Sequence, residues 1–90
     1  MWVPSLQVIR LSQPPFTEKQ GQYLAFIYAY LKLHGCPPAE ADMQRFFQVT
    51  APSVHRMVVE LERKQLITRQ SGQPRSIRLL LEPEQLPILR

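Results

Sequence analysis

Several features that define large classes of proteins are scarce in this sequence. Its 90 residues include one cysteine, Cys36, which excludes an intramolecular disulfide framework and suits a reducing compartment. Three glycines stand against nine prolines, a balance that favours stiff connections. No stretch approaches the ~20 apolar residues of a membrane span, and the N-terminal MWVPSLQVIRL lacks the basic lead of a secretory signal. We therefore expect one soluble, cytoplasmic domain with no membrane partner.

The charge of the chain is modest in total but unevenly distributed. The formal net charge is +4, and residues 1–44 contain equal numbers of acidic and basic side chains. Residues 45–78 carry seven Lys and Arg against two Glu, whereas residues 79–90 carry one Arg against two Glu. Concentrated positive charge favours a polyanionic partner, although a basic surface that only contacts solvent is the alternative.

The first helix has clear start and stop signals. Thr17 is a good N-cap, and Gln20 three residues later completes a capping box, with Phe16 placed as a hydrophobic staple. The apolar pattern continues to His34, and Gly35 supplies the left-handed residue that commonly follows a helix. The sequence therefore predicts a helix of about 17 residues before Cys36-Pro37-Pro38 redirects the chain.

Two further helices are predicted on either side of a short turn. A second helix spans roughly Ala39 to Phe47, and Thr50 caps a third in which Pro52 is tolerated in the first turn. In the third helix, apolar residues repeat with the spacing of one buried face: Val54, Met57, Val58 and Leu61. The opposite surface then presents polar side chains near the helix start: Ser53, His55 and Arg56.

A basic hairpin follows the three helices. Residues Leu66 to Gln70 and Ser76 to Leu81 read as two strands, and Gly72 and Pro74 provide turn chemistry between them. Three helices followed by a hairpin is the order of a winged helix-turn-helix, a mainly α fold with a two-stranded wing. In this fold the third helix enters the DNA major groove and the wing follows the phosphate backbone.

Four segments strengthen this interpretation by resemblance to a known family. FTEKQ, HGCPP, SVHRMVVELERKQLI and GQPRSIRLL occur in the order and near-constant spacing of the N-terminal DNA-binding domain of LexA repressors. The resemblance covers about residues 16–80. It implies a regulator of transcription that binds double-stranded DNA, with a recognition helix at about residues 51–64 and a wing at about 67–80.

The resemblance also implies roles for individual side chains. It makes Ser53, His55 and Arg56 the readers of bases and places Thr50 and Pro52 at the helix entrance. It also puts Arg75 at the wing tip and Arg78 on the return strand of the wing, where Arg69 lies as well. Arginine can pair bidentately with guanine, and a helix N-terminus binds phosphate. The predicted DNA contacts are Thr50, Pro52, Ser53, His55, Arg56, Arg69, Arg75 and Arg78.

The sequence departs from the family pattern at three positions. Gln48 stands where the turn before the third helix usually has a glycine, and the segment from Gln48 to Pro52 is one residue short. Gln65 replaces the glycine after the third helix, so we expect Gln65 to be left-handed, and Ala39 replaces the Ser or Thr cap of the second. LexA repressors also carry a second, self-cleaving domain with a Ser–Lys pair. Ninety residues leave no room for that domain, so self-cleavage is not expected.

The segments outside the predicted domain suggest how two copies could associate. We divide the chain into an apolar N-terminal arm at residues 1–15, a winged-helix domain at 16–81 and an extended tail at 82–90. One face of the first helix is small and apolar, so either the arm or a second subunit should cover it. The predicted homodimer contacts are Trp2, Val3, Leu6, Val8, Ile9, Ala25, Tyr28 and Ala29.

Catalytic and metal sites are disfavoured by the same sequence. Cys36 lies two residues from His34, but two candidate ligands without a partner pair are a weak metal signal. Nothing in the sequence orients His34 to activate a cysteine nucleophile, and we favour a half-buried thiol. We expect no enzymatic activity, metal, cofactor or small-molecule ligand.

Two rival functions remain open. The domain can be a protein-interaction module whose arm and first helix bind a partner while the basic wing is incidental. It can also be the remnant of a self-cleaving repressor that acts only beside a partner. At the level of single residues, Arg56 can form a surface ion pair with Glu60 instead of reading a base.

Overall fold

The computed structural model describes residues 15–90 and contains three helices and a two-stranded antiparallel hairpin. This arrangement confirms the predicted winged helix-turn-helix. Within the described residues, no helix is both long enough and apolar enough to cross a membrane. The elements are α1 (Glu18–His34), α2 (Glu40–Phe47), α3 (Ala51–Arg63), β1 (Ile67–Thr68), β2 (Arg78–Leu79) and a 3-10 turn (Pro83–Gln85).

Helix α1 begins and ends at the predicted residues. The Thr17 hydroxyl oxygen accepts a hydrogen bond from the Gln20 backbone N–H at 3.1 Å, and the Gln20 amide oxygen accepts one from the Thr17 N–H at 3.0 Å. Gly35 is left-handed, with φ 76°, and its N–H donates to the Leu31 carbonyl at 2.8 Å. Both ends therefore satisfy backbone groups that would otherwise lack partners.

The core lies between the three helices and the base of the wing. Tyr23 of α1 stacks on Phe47 of α2 at 4.1 Å between ring centroids. Met57, predicted on the buried face of the third helix, is only half-buried. The fully buried side chains of the centre are Tyr23, Leu24, Ile27, Met43, Val54, Val58, Leu61 and Ile67.

The wing strands are shorter than predicted. Ile67 pairs with Leu79 and Thr68 with Arg78, so each strand has two residues, not the five or six expected. Beyond them, the Gln70 N–H donates to the Ser76 hydroxyl at 2.9 Å instead of to a backbone carbonyl. Arg75 is also left-handed, with φ 59°. The ladder ends on this side because a side-chain hydroxyl, and not a backbone carbonyl, accepts from Gln70.

The C-terminal tail, predicted as extended, packs along α1. The Gln22 side chain donates to the Ile88 carbonyl at 2.9 Å and accepts from the Arg90 N–H at 2.8 Å. Pro87 lies over Gly21, where a Cβ atom would stand 3.0 Å from the proline ring. Ala25 on the same helix is only 4% exposed. Ala25, predicted as a contact with a second subunit, is thus already buried within its own chain.

Candidate nucleic-acid interface

The turn between α2 and α3 keeps the geometry of the motif without a glycine. Gln48 ends α2 in the left-handed conformation, with φ 56°, and the next N–H, of Val49, donates to the Gln44 carbonyl at 3.3 Å. Thr50 then caps α3, because its hydroxyl oxygen accepts from the Ser53 N–H at 3.3 Å. The turn thus sets the direction in which α3 leaves α2.

Helix α3 has one fully buried side and one free side. Val54, Val58 and Leu61 have no exposed surface, which fixes the rotation of the helix about its axis. The predicted base readers lie on other faces: His55 and Arg56 are exposed and Ser53 is half-buried. Thr50 and Pro52 are exposed at the helix entrance, as predicted. The five predicted contacts around α3 are therefore close together on one end of the helix.

Arg56 has no hydrogen-bond or ion-pair partner among residues 15–90. The alternative pair with Glu60 does not form, because Glu60 binds Arg63, with 3.2 Å between the Arg63 Nε and a Glu60 oxygen. The Arg63 hydrogen bonds also hold the pKa of the Glu60 carboxyl below its ordinary value. Arg56 is thus available for a ligand that approaches α3.

His55 makes a contact that the sequence did not suggest. Its Nδ1 lies 3.3 Å from a carboxylate oxygen of Glu40, in the first turn of α2. Because a carboxylate accepts hydrogen bonds, this contact requires a proton on Nδ1. The Nε2 atom has no hydrogen-bond partner among residues 15–90 and can form a hydrogen bond with a base or phosphate.

The wing arginines differ in whether they face the body of the domain. Arg69 donates to Glu62 at 3.1 Å, and its side chain is 22% exposed. Arg75, predicted as a DNA contact, reaches back to the helical body, with 3.1 Å between a guanidinium nitrogen and an Asp42 carboxylate oxygen. Arg78 lies opposite Thr68 in the ladder, is exposed and has no side-chain partner in the described part of the chain. Of the three, only Arg78 presents an unengaged guanidinium.

Asp42 is a buried acidic residue that sequence reasoning missed. Its carboxylate accepts hydrogen bonds from the Ala39 N–H at 2.8 Å and from Arg45 at 2.7 Å, and it forms an ion pair with Arg75 at 3.1 Å. The backbone hydrogen bond from Ala39, followed by the two guanidinium charges, holds the pKa of Asp42 below its ordinary value, against the opposing effect of burial. The sequence could have indicated this role, because Asp42 is the third residue of α2 and a side chain at that position can accept from the backbone N–H of the residue before the helix.

The remaining candidate chemistry is sparse. Cys36 is a free, half-buried thiol, as expected. Among residues 15–90, no group of three His, Cys, Asp or Glu side chains is placed to hold a metal ion. Part of the predicted dimer surface (Trp2, Val3, Leu6, Val8 and Ile9) lies outside the described residues. Tyr28 and Ala29 are half-buried on α1, and Tyr28 borders an apolar groove of 420 Å³.

Comparison with known proteins agrees with this geometry. A family model described as the LexA DNA binding domain matches residues 13–76. The LexA repressor of Thermosipho melanesiensis is 38% identical over 72 residues and that of Thermosipho africanus 36% over 72, in each case 80% of this chain. The LexA repressor of Thermotoga maritima is 33% identical over 63 residues, 70% of this chain. These alignments cover 36%, 36% and 32% of the three relatives, so the chain spans about a third of their length.

Proposed function

This chain belongs to the family of LexA DNA-binding domains, and from that membership we propose that residues 16–81 bind double-stranded DNA sequence-specifically and regulate transcription. We further propose that the domain performs no chemistry on the DNA. The observation that carries the proposal is that α3 has one buried side and one side with an arginine that is unpaired within residues 15–90. Its buried side is fully occupied by the core, while Arg56 on a free side has no partner among the described residues.

In this proposal α3 reads bases from the major groove. Arg56 forms two hydrogen bonds with guanine O6 and N7, and Ser53 and His55 make single hydrogen bonds to bases or phosphate. Thr50 uses its hydroxyl oxygen as the cap acceptor for Ser53, so its hydroxyl proton can be donated to a phosphate. The N-terminal dipole of α3 favours a phosphate at the same place.

The wing supplies contacts that do not depend on sequence. Arg78 and Thr68 form the exposed cross-strand pair of the hairpin, and both side chains can donate to phosphate oxygens. Arg69 is less available because it pairs with Glu62. We therefore assign the main phosphate contact of the wing to Arg78.

A duplex-binding measurement tests the proposal directly. Bound sequences are selected from a random duplex pool, and affinity for the best site is then measured as a function of salt. We expect log K to fall with log salt by about 0.9 for each phosphate neutralised. Arg63→Ala is the matched control for Arg56→Ala, because Arg63 lies on the same helix but is already paired with Glu60. Absence of binding at low salt would instead favour the protein-interaction module.

We also propose that the domain acts as a homodimer on paired half-sites. One recognition helix reads only a few base pairs, so specificity normally requires two modules. Ala25 is excluded from the interface by its burial, which leaves Tyr28 and Ala29 with the N-terminal arm. Tyr28 and the exposed Leu31 both border the apolar groove, and large apolar side chains of this kind anchor interfaces.

Sedimentation distinguishes this dimer from a monomer. Tyr28→Glu should give monomers with an unchanged helical signal, because a charge at an apolar interface is not compensated. Leu33→Glu is the control, since Leu33 is 80% exposed and lies about 140° around the helix from Tyr28. A chain beginning at Pro15 measures the contribution of the arm. A wild type that stays monomeric at high micromolar concentration would exclude the dimer.

A further inference from the structure

The wing tip is attached to the helical body by one side chain. The Arg75 Nη1 atom lies 3.0 Å from the Tyr30 hydroxyl, 3.1 Å from an Asp42 carboxylate oxygen and 3.3 Å from the Pro37 carbonyl. Its guanidinium carbon is also 5.7 Å from the centroid of the Tyr30 ring. Arg75 therefore contacts α1, α2 and the loop between them at once.

The carboxylate that forms an ion pair with Arg75 is held in place by other bonds. Asp42 accepts from the Ala39 N–H at 2.8 Å and from Arg45 at 2.7 Å, and its side chain is 9% exposed. A carboxylate with these partners has little freedom to follow a moving wing. Arg75 is thus joined to a rigid point at the start of the helix-turn-helix.

The backbone of the wing offers little to replace this contact. The ladder has two residue pairs. Beyond it, one backbone hydrogen bond runs from the Gln73 N–H to the Gln70 carbonyl at 3.0 Å, and the Ser76 hydroxyl lies 2.9 Å from the Gln70 nitrogen and 2.8 Å from the Gln73 carbonyl. Arg75 itself is left-handed, a conformation that side-chain-bearing residues seldom adopt without support. A short ladder allows the tip to swing unless a side chain fixes it.

We propose that Arg75 is a positioning residue of the DNA-binding surface and not a phosphate contact. Its bonds to Asp42 and Tyr30 fix the wing relative to α3, so that Arg78 meets the phosphate backbone when α3 is in the major groove. This inference rests on the proposed function. A swing of Arg75 towards DNA would leave the Asp42 carboxylate with fewer partners, which opposes such a contact.

Amide hydrogen exchange tests, without DNA, whether the contacts of Arg75 hold the wing in place. Arg75→Ala should speed exchange of the Gln73 and Leu80 amides by roughly tenfold, because a charge-assisted bond that holds the wing is lost. The amides of α3 should keep their rates. Arg75→Lys should restore part of the protection, and Arg78→Ala should change nothing. Unchanged wing exchange in Arg75→Ala would overturn the proposal.

A double-mutant comparison on DNA separates positioning from direct contact. Asp42→Asn keeps an oxygen that can accept from the Ala39 N–H but removes the charge that Arg75 binds. If Arg75 positions the wing, Arg75→Ala and Asp42→Asn each lower affinity roughly tenfold, the double variant loses no more than either alone, and the salt slope is unchanged.

A direct phosphate contact gives the opposite pattern. Arg75→Ala would then flatten the salt slope by roughly one, Asp42→Asn would not weaken binding, and the effect of Arg75→Ala would persist in the Asp42→Asn background. That pattern would overturn the proposal. If no variant binds DNA, the proposed function fails, while the exchange measurement still decides whether Arg75 holds the wing.

Discussion

Helix α3 and the wing both carry arginines, but they present them differently. Three fully buried residues fix α3, and Arg56 on its free side is unpaired within residues 15–90. The wing is held by two ladder pairs, and two of its arginines, Arg69 and Arg75, bind carboxylates of the same chain. The number of basic residues in a segment therefore overstates the number of contacts it can offer to DNA.

This difference separates two physical routes to a binding surface. The exposed face of α3 follows from helical periodicity, because burying one stripe determines what the other side presents. The orientation of the wing depends instead on side-chain bonds between distant parts of the chain. Substitutions on the buried side of α3 should thus lower the free energy of unfolding, whereas substitutions in the wing should mainly lower the affinity for DNA.

The largest expected effect is on the buried side of α3. Leu61→Ala removes a side chain with no exposed surface and should lower the free energy of unfolding by about 2–5 kcal/mol. Val59→Ala on the same helix is the control, because Val59 is 40% exposed and its replacement should stay within about 0.5 kcal/mol. Urea unfolding measures both. Equal losses would contradict the assignment of the buried face.

The next effect concerns sequence preference. Arg56→Ala should weaken binding to the best site by about 1–3 kcal/mol and relax preference at one base position. Arg78→Ala should instead weaken binding to all duplexes alike and flatten the salt slope by roughly one. Titrations on selected and random duplexes distinguish the two. If both variants lose affinity equally on both kinds of duplex, α3 and the wing do not have the separate roles assigned here.

A third effect should appear in acid. Because the pKa of Asp42 is lower in the folded chain than in the unfolded one, its contribution to stability is present above the unfolded pKa. That contribution is lost as the pH falls through the folded pKa. Between about pH 6 and about pH 2, the free energy of unfolding should therefore fall more steeply for the wild type than for Asp42→Asn. Identical profiles would mean that the Asp42 bonds contribute nothing.

Much of the fold could be predicted because its determinants are local. The Thr17–Gln20 capping box, the Thr50 cap and the apolar stripe of α3 each lie within a few residues, and the structure confirms both caps and three of the four residues of the stripe. The left-handed conformation of Gln65 was also predicted correctly, from its position directly after α3. Local patterns of this kind limit the backbone before distant contacts form.

The contacts that the sequence did not indicate join residues far apart in the chain. Arg75 binds Asp42, 33 positions earlier, and Arg90 reaches Glu18 on α1. No periodicity or cap indicates such pairs, so the sequence predicts Arg75 as a DNA contact and residues 82–90 as an extended tail without showing what either one contacts. The DNA contacts themselves stay predictions, because exposure shows availability and not binding.

The smallest expected effect lies at the junction between α3 and the wing. After Lys64, the Gln65 N–H donates to the Glu62 carbonyl at 2.9 Å and the Leu66 N–H to the Leu61 carbonyl at 3.0 Å. These two bonds form a Schellman motif, in which the residue after the helix must be left-handed. Gln65 fills that place with φ 63° and an exposed side chain, so its Cβ atom is strained and its side chain contributes little packing.

Gln65→Gly should therefore raise the free energy of unfolding by a few tenths to ~1 kcal/mol. The free energy gained when the left-handed strain is relieved exceeds the entropic cost that arises because glycine gives the unfolded chain greater freedom. Gln65→Ala keeps the Cβ atom and should show no gain, which separates strain from loss of the side chain. DNA affinity should stay unchanged in both variants, because the junction sets stability and the Arg75 bonds set the orientation of the wing. A loss of affinity in Gln65→Gly would show that the junction also positions the wing.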